Sequence, residues 1–246
     1  MSARDAAVQA ARRGWAVFPC RPWDKRPAVA DWEGRACADP DRVGRHWPSD
    51  RHNAGIACGP SRLVVVDLDT HSPLPEDWRE PGVHDGRDVL ALLAEWAGQL
   101  WPVTYTVKTP TGGLHLYYTA PPGPEIRNSA GKIGPLIDVR ASGGYVLAAG
   151  SVLDERAYPD NPGCGALVAG GRAYELADDG DAVPLPAWLA ILGRGDEPTA
   201  PAAARARRHG PAGPRLNGLI VTVRSGEEGD RNGPLYWASR RAAEMI

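Results

Sequence analysis

The chain reads as an α/β or α+β domain in which strands and helices mix without strict strand–helix–strand alternation. Three stretches lead to that expectation. Residues 63–70, LVVVDLDT, open with four consecutive apolar residues, three of them β-branched, the pattern of a strand buried on both faces. Residues 88–100 place Val89, Leu92, Leu93, Trp96 and Leu100 at the spacing of an amphipathic helix. Residues 103–120 alternate on either side of TPTGG, which predicts a hairpin with a Gly-Gly tip.

Taken in order, the Ala-rich stretch 3–13 predicts a short helix ending at Gly14. WAVFPC at 15–20 predicts a strand, and RPWDKRP at 21–27 a Pro-punctuated loop. Asp39 and Pro40 have the character of an N-cap and first turn for a helix through Trp47. NAGIACG at 53–59 predicts a strand that turns at Pro60-Ser61 into the central one. Residues 71–86 form a Pro- and Gly-rich loop before the amphipathic helix, which Pro102 is expected to end. After the hairpin, a loop holding Arg127 and Asn128 leads into LIDVRASGGYVLAAGS, read as two short strands about a Ser-Gly-Gly turn. Further strands are expected at 166–176 and a closing helix at PLPAWLAIL. Residues 193–215, rich in Gly, Pro, Ala and Arg, predict a flexible basic linker, and 216–246 the start of a helical domain.

Composition sets the class. At 246 residues, 43% hydrophobic and 24% charged, the sequence is that of an ordinary globular protein. No apolar run approaches the roughly 20 residues that span a bilayer. The first residues lack the apolar centre of a secretory signal, so a cytoplasmic protein without membrane contact is expected. Cys20, Cys37, Cys58 and Cys164 contain no CxxC pair and fit reduced thiols. Net charge is only −2, but residues 1–52 carry 10 Lys+Arg against 7 Asp+Glu, while residues 61–100 carry 3 against 8. Basic flanks around an acidic centre suit a metal site serving a polyanion.

The acidic centre holds Asp67 and Asp69, two apart on one strand face. Carboxylates so close repel unless a cation or shared proton lies between them, which suggests Mg²⁺ or Mn²⁺; solvated acids at a strand end are the alternative. Asp138 ends a second apolar strand and offers a third carboxylate, the number that two-metal phosphoryl transfer requires. Gly112 and Gly113 allow backbone N–H groups to approach a phosphate, and His115, one strand-step on, can donate to it or be a satisfied core histidine. Arg140 shares a face with Asp138, ready for a phosphate or for a carboxylate. No GxxxxGK[ST] occurs, which argues against a P-loop enzyme.

The ordered set GWAVFPC, K-R-P, NAGIACG, VVVDLDT, TPTGGLHLYY and IDVRASGGYVLAAGS resembles the bifunctional DNA primase/polymerase N-terminal domain, a branch of the archaeo-eukaryotic primase superfamily found in phage, plasmid and bacterial replication proteins. The resemblance covers about residues 5–192, and a catalytic domain over 1–192 is expected. It implies a core like an RNA-recognition-motif sheet joined to an N-terminal αβ unit, then a short helical segment. It also implies a template-dependent nucleotidyltransferase with a two-metal Mg²⁺ or Mn²⁺ site, dNTP or NTP substrates, and a single-stranded DNA template. A helicase domain or protein is a further candidate partner. Asp67, Asp69 and Asp138 match the family's metal carboxylates, His115 its nucleotide-binding histidine, and Arg140 its D-x-R segment near the incoming triphosphate.

Two departures bear on side-chain contacts to the nucleotide: Gly113 stands where related branches often have Ser, and Ala149-Gly150-Ser151 where the family often has Pro-Pro-Ser. Gly229-Asp230-Arg231-Asn232 resembles the start of the helical domain that often follows such a core. Arg224, Arg231, Arg240 and Arg241 there, with Tyr236 and Trp237, offer contacts for an initiating nucleotide. Two other functions fit the same acids: a metal-dependent nuclease, which needs no triphosphate pocket, and a catalytically silent single-strand or origin-binding module.

Overall fold

The structure is a computed structural model that describes residues 2–70, 72–79, 82–99, 102–154 and 172–194. Cys164, the part of the strands expected at 166–176 that precedes residue 172, the part of the linker expected at 193–215 that follows residue 194, and the helical segment expected at 216–246 lie outside the described residues; Gly193 and Arg194, expected as linker, end a helix instead. Helices and antiparallel sheets mix, so the fold is α+β.

Helix α1 (Ala3–Arg12) opens with a capping box in which Ser2 and Asp5 exchange side-chain bonds with each other's backbone N–H. Its buried alanines, Ala6, Ala7, Ala10 and Ala11, let it lie close against strand β2 (His52–Ala57) and helix α3 (Pro40–His46). Asp39 caps α3 and Pro40 opens it, as expected. A short helix, α2 (Trp32–Arg35), packs beside strand β1 (Val17–Pro22). Strands β1, β2 and β8 (Tyr145–Leu147) form one antiparallel three-stranded sheet.

The larger sheet is built around β3 (Leu63–Leu68), every residue of which is buried. On one side β3 pairs with β5 (Leu114–Thr119), on the other with β7 (Ile137–Arg140), both antiparallel. Beyond β5 lie β4 (Thr106–Lys108) and β11 (Glu175–Asp178), and beyond β7 lies β6 (Ser129–Gly134). Two short strands, β9 (Val152–Leu153) and β10 (Arg172–Ala173), pair with each other, and β12 (Val183–Pro184) adds to β5 in parallel.

The period-two alternation of β3 divides the core. Leu63 and Val65 face the three-stranded sheet and α1, where Trp15, Phe18, Tyr105 and Tyr117 gather. Val64, Val66 and Leu68 face helix α4 (Gly86–Ala97) and helix α5 (Ala187–Arg194), with Leu90, Tyr118, Ile137 and Leu189. Asp67 falls on the first face, so its carboxylate points between the two sheets.

The two short strands expected about the Ser-Gly-Gly turn are present, at 137–140 and 145–147, and they lie in different sheets: β7 joins β3 in the large sheet and β8 joins β2 in the small one. The Ser-Gly-Gly turn therefore carries the chain from one sheet to the other. Residues 129–134, expected as loop, form β6, whose Ser, Gly and Lys content hides the strand signal. Helix α4 ends at Gly98, in the left-handed conformation that caps helices, and not at Pro102.

Candidate active site

The register of the large sheet sets three polar side chains in one row. Asp67 on β3 stands opposite His115 on β5 and opposite Asp138 on β7. All three project from the face turned toward the small sheet, because their neighbours Leu116, Leu68 and Val139 belong to the opposite core. Arg140, two residues after Asp138, shares that face.

Asp69 sits one residue past the end of β3, and backbone contacts fix it. Its N–H donates to Leu136 O at 2.9 Å, and its carbonyl accepts from Gly86 N–H at 2.9 Å. Leu136 takes φ +60 in the tight turn between β6 and β7. Gly86 opens α4 so close to this turn that a Cβ would stand 2.3 Å from Leu136 O and 3.0 Å from Asp69 N. Only a glycine lets the helix begin there. Oxygens of Asp67, Asp69 and Asp138 consequently lie within 4.8 Å of one another.

One guanidinium ties two of these acids together. Arg140 Nη2 donates to Asp138 Oδ2 at 2.8 Å and to Asp67 Oδ2 at 3.4 Å. Asp138 Oδ1 also accepts from Gly131 N–H at 3.1 Å. On the other flank, His115 Nε2 is 3.3 Å from Asp67 Oδ1. Burial pushes the Asp67 carboxyl up, but the adjacent His115 with its hydrogen bond, then Arg140 and Lys25, outweigh it and hold it at about 2, below the ordinary 3.8. The Asp67 carboxylate is therefore ionised at neutral pH.

The Gly-Gly turn reaches the same place. Thr70 Oγ1 donates to Thr111 O at 2.8 Å, which clips the turn to the end of β3. Gly112 adopts φ +90, and a Cβ at Gly113 would stand 2.3 Å from Leu68 O. The side chain that related branches carry at that position has no room here.

All seven residues singled out from the sequence, Asp67, Asp69, Gly112, Gly113, His115, Asp138 and Arg140, thus come together at one end of β3. Arg140 contacts carboxylates in this structure. His115 is 5% exposed with its Nε2 on Asp67, and its Nδ1 is buried without a partner among the described residues. Its ring also lies 5.6 Å from that of Tyr174, so the imidazole is enclosed between Asp67 and the aromatic side of the core. Sequence reading missed Gly86 and Leu136, which place Asp69, and Lys25, whose charge reaches Asp67. In the sequence Lys25 is marked only by its place in the K-R-P segment.

The family model described as bifunctional DNA primase/polymerase, N-terminal, matches residues 7–188. The chain belongs to this family. Membership makes it a nucleotidyltransferase-type domain of DNA replication, acting on DNA and nucleotides. No curated protein matches the chain. The matched span takes in every strand of both sheets and the acidic triad, and such domains are typically metal-dependent. Among the described residues, no helix is long and apolar enough to cross a membrane.

The donor set fits a hard divalent cation. The three carboxylates that lie within 4.8 Å of one another, one already ionised against its burial, offer oxygen ligands, while the neighbouring His115 turns its Nε2 onto Asp67.

Proposed function

We propose that the chain is a template-dependent DNA primase and polymerase that starts primers on single-stranded DNA and extends them by two-metal nucleotidyl transfer. The observation that carries this reading is the gathering of Asp67, Asp69 and Asp138 within 4.8 Å, with Arg140 bonded to Asp67 and Asp138.

The reaction joins a 3′-oxygen to the α-phosphorus of an incoming dNTP or NTP and releases pyrophosphate. Asp67, Asp69 and Asp138 would hold Mg²⁺ or Mn²⁺, which when bound activates the attacking hydroxyl and steadies the leaving phosphate. Asp67 needs to lose no proton to accept a cation, because His115, Arg140 and Lys25 already keep it ionised. Both bonds of Arg140 leave from Nη2, so Nε and Nη1 retain donors for a triphosphate oxygen. His115 acts on the nucleotide through Asp67, whose oxygen it orients and whose charge it supports. The Gly112-Gly113 turn, clipped by Thr70, brings backbone rather than side chains up to the phosphates.

The test supplies an unprimed single-stranded template, labelled nucleotides and Mg²⁺ or Mn²⁺, and resolves the products by length. Products that start at the dinucleotide and lengthen with time are expected. Shortening of the template with no nucleotide incorporated would replace this reading with a nuclease.

A further inference from the structure

The loop that follows β1, residues 23–27, lies outside the acidic cluster and carries an exposed aromatic ring on a strained and tightly built backbone. Trp23 is 42% exposed, and it takes φ +56, a left-handed conformation that a bulky L-residue adopts only at a cost. The surroundings enforce that conformation. Arg21 N–H donates to Arg26 O at 2.8 Å, Asp24 N–H to Arg21 O at 3.2 Å, and Asp154 N–H to Trp23 O at 3.2 Å. Asp24 is 3% exposed and turned inward onto Arg26. Its carbonyl accepts from Asn53 Nδ2 at 3.1 Å, and buried Asn53 in turn exchanges bonds with Val152 on β9. A buried polar network thus holds the loop between β2 and β9 so that an indole stays in solvent.

Arg21, Lys25 and Arg26 stand close to Trp23 in the sequence, and the Arg51 guanidinium lies 5.9 Å from the indole centroid; the acid next to it, Asp24, is buried and paired with Arg26. Nothing in the packing of the core requires Trp23, since neither apolar cluster includes it. An exposed aromatic face with a guanidinium against it and further basic residues beside it in the chain matches the chemistry of single-stranded nucleic acid: a base stacks on the ring, and the flanking phosphates meet the cations. The loop also leads toward the acidic cluster, because Tyr145 Oη, at the start of β8 five residues after Arg140, donates to Lys25 O at 3.0 Å, and the charge of Lys25 reaches Asp67.

We propose that Trp23 is a base-stacking platform for the single-stranded DNA template, with Arg21 and Arg51 as its phosphate contacts. The choice of DNA as the strand rests on the polymerase reading above; the stacking itself does not. A duplex hides its base faces, so the platform discriminates for single strands.

The experiment uses the full 246-residue chain and a fluorescein-labelled oligo(dT) carrying one 5-iododeoxyuridine, which cross-links to a stacked aromatic on irradiation. Cross-links should map to the peptide containing Trp23. By equilibrium anisotropy, Trp23→Ala and Trp23→Gly should weaken binding by about fivefold or more, and Trp23→Phe should retain most of it. Arg21→Ala and Arg51→Ala should flatten the logarithmic salt dependence by about 0.7 each. Trp23→Gly also separates binding from folding: glycine accepts φ +56 without strain, so its melting temperature should equal or exceed that of the parent. Cross-links confined to other peptides, or unchanged affinity in Trp23→Gly, would overturn the proposal. Primer synthesis measured in parallel keeps the two readings apart. Cross-linking at Trp23 without nucleotide incorporation would leave the platform standing and remove the polymerase.

Discussion

Replacing Arg140 with Ala should destabilise the metal-free protein and leave the manganese-loaded protein nearly unharmed. Arg140 is the cation that bonds both Asp67 and Asp138, whose side chains are only 12% and 20% exposed. With oxygens up to 4.8 Å apart, the two carboxylates repel by about 3 kcal/mol at an effective dielectric of roughly 20. The loss of the 2.8 Å bond adds about 1–2 kcal/mol, and partial solvation and proton uptake take some of the total back. A net cost of about 2–4 kcal/mol remains, which for a domain of this size lowers the melting temperature by roughly 5–15 °C. The assay is thermal unfolding in EDTA and in millimolar Mn²⁺. In EDTA the variant should melt well below the parent, and Mn²⁺ should close most of the gap by supplying the missing positive charge. An unchanged melting temperature in EDTA, or a deficit that Mn²⁺ does not reduce, would refute the picture of a charge cluster held by Arg140.

Other consequences follow from single contacts. Because Asp67 is held at about 2 when folded against 3.8 ordinarily, its contribution is fully present above pH 4 and is lost as pH falls toward 2; in acid titrations with EDTA, His115→Ala should move this limb to higher pH. Gly86→Ala should displace Asp69 and cut primer synthesis at least tenfold, since its Cβ meets Leu136 O at 2.3 Å; activity and melting temperature measured together would show it. His115→Ala should weaken dNTP binding more than template binding in equilibrium titrations, because its effect passes through Asp67. Cys20 is buried, which together with Asp24 pushes its thiol up to about 12, and burial also pushes the Cys58 thiol up. Neither should react with iodoacetamide at pH 8 in the native protein, and peptide mass spectrometry reads the outcome directly.

The site was more legible in the sequence than the architecture that holds it. A strand has period two, so Asp67 and Asp69 were assigned one face, as were Asp138 and Arg140, from spacing alone. What spacing cannot convey is the partner strand. That His115 and Asp138 both stand opposite Asp67 is a matter of register between segments about 50 and 70 residues away in the chain. For the same reason the sequence does not tell that the strands flanking Ser142-Gly143-Gly144 belong to different sheets. The positions of Gly86 and Leu136 carry no local pattern at all; each matters because two backbones approach there. Trp23 read as one residue of a Pro-punctuated loop, and only its left-handed backbone and buried scaffold set it apart.

The central claim is that Asp67, Asp69 and Asp138 act as one metal-holding unit in nucleotide transfer. Its most direct test is primer synthesis by Asp67→Asn, Asp69→Asn and Asp138→Asn, each with saturating Mn²⁺ and each checked for a native fold by circular dichroism. Every one of the three should fall by about a thousandfold or more, because each removes a charged ligand from a site that needs all three. Near-normal synthesis by a folded Asp69→Asn protein would contradict the account.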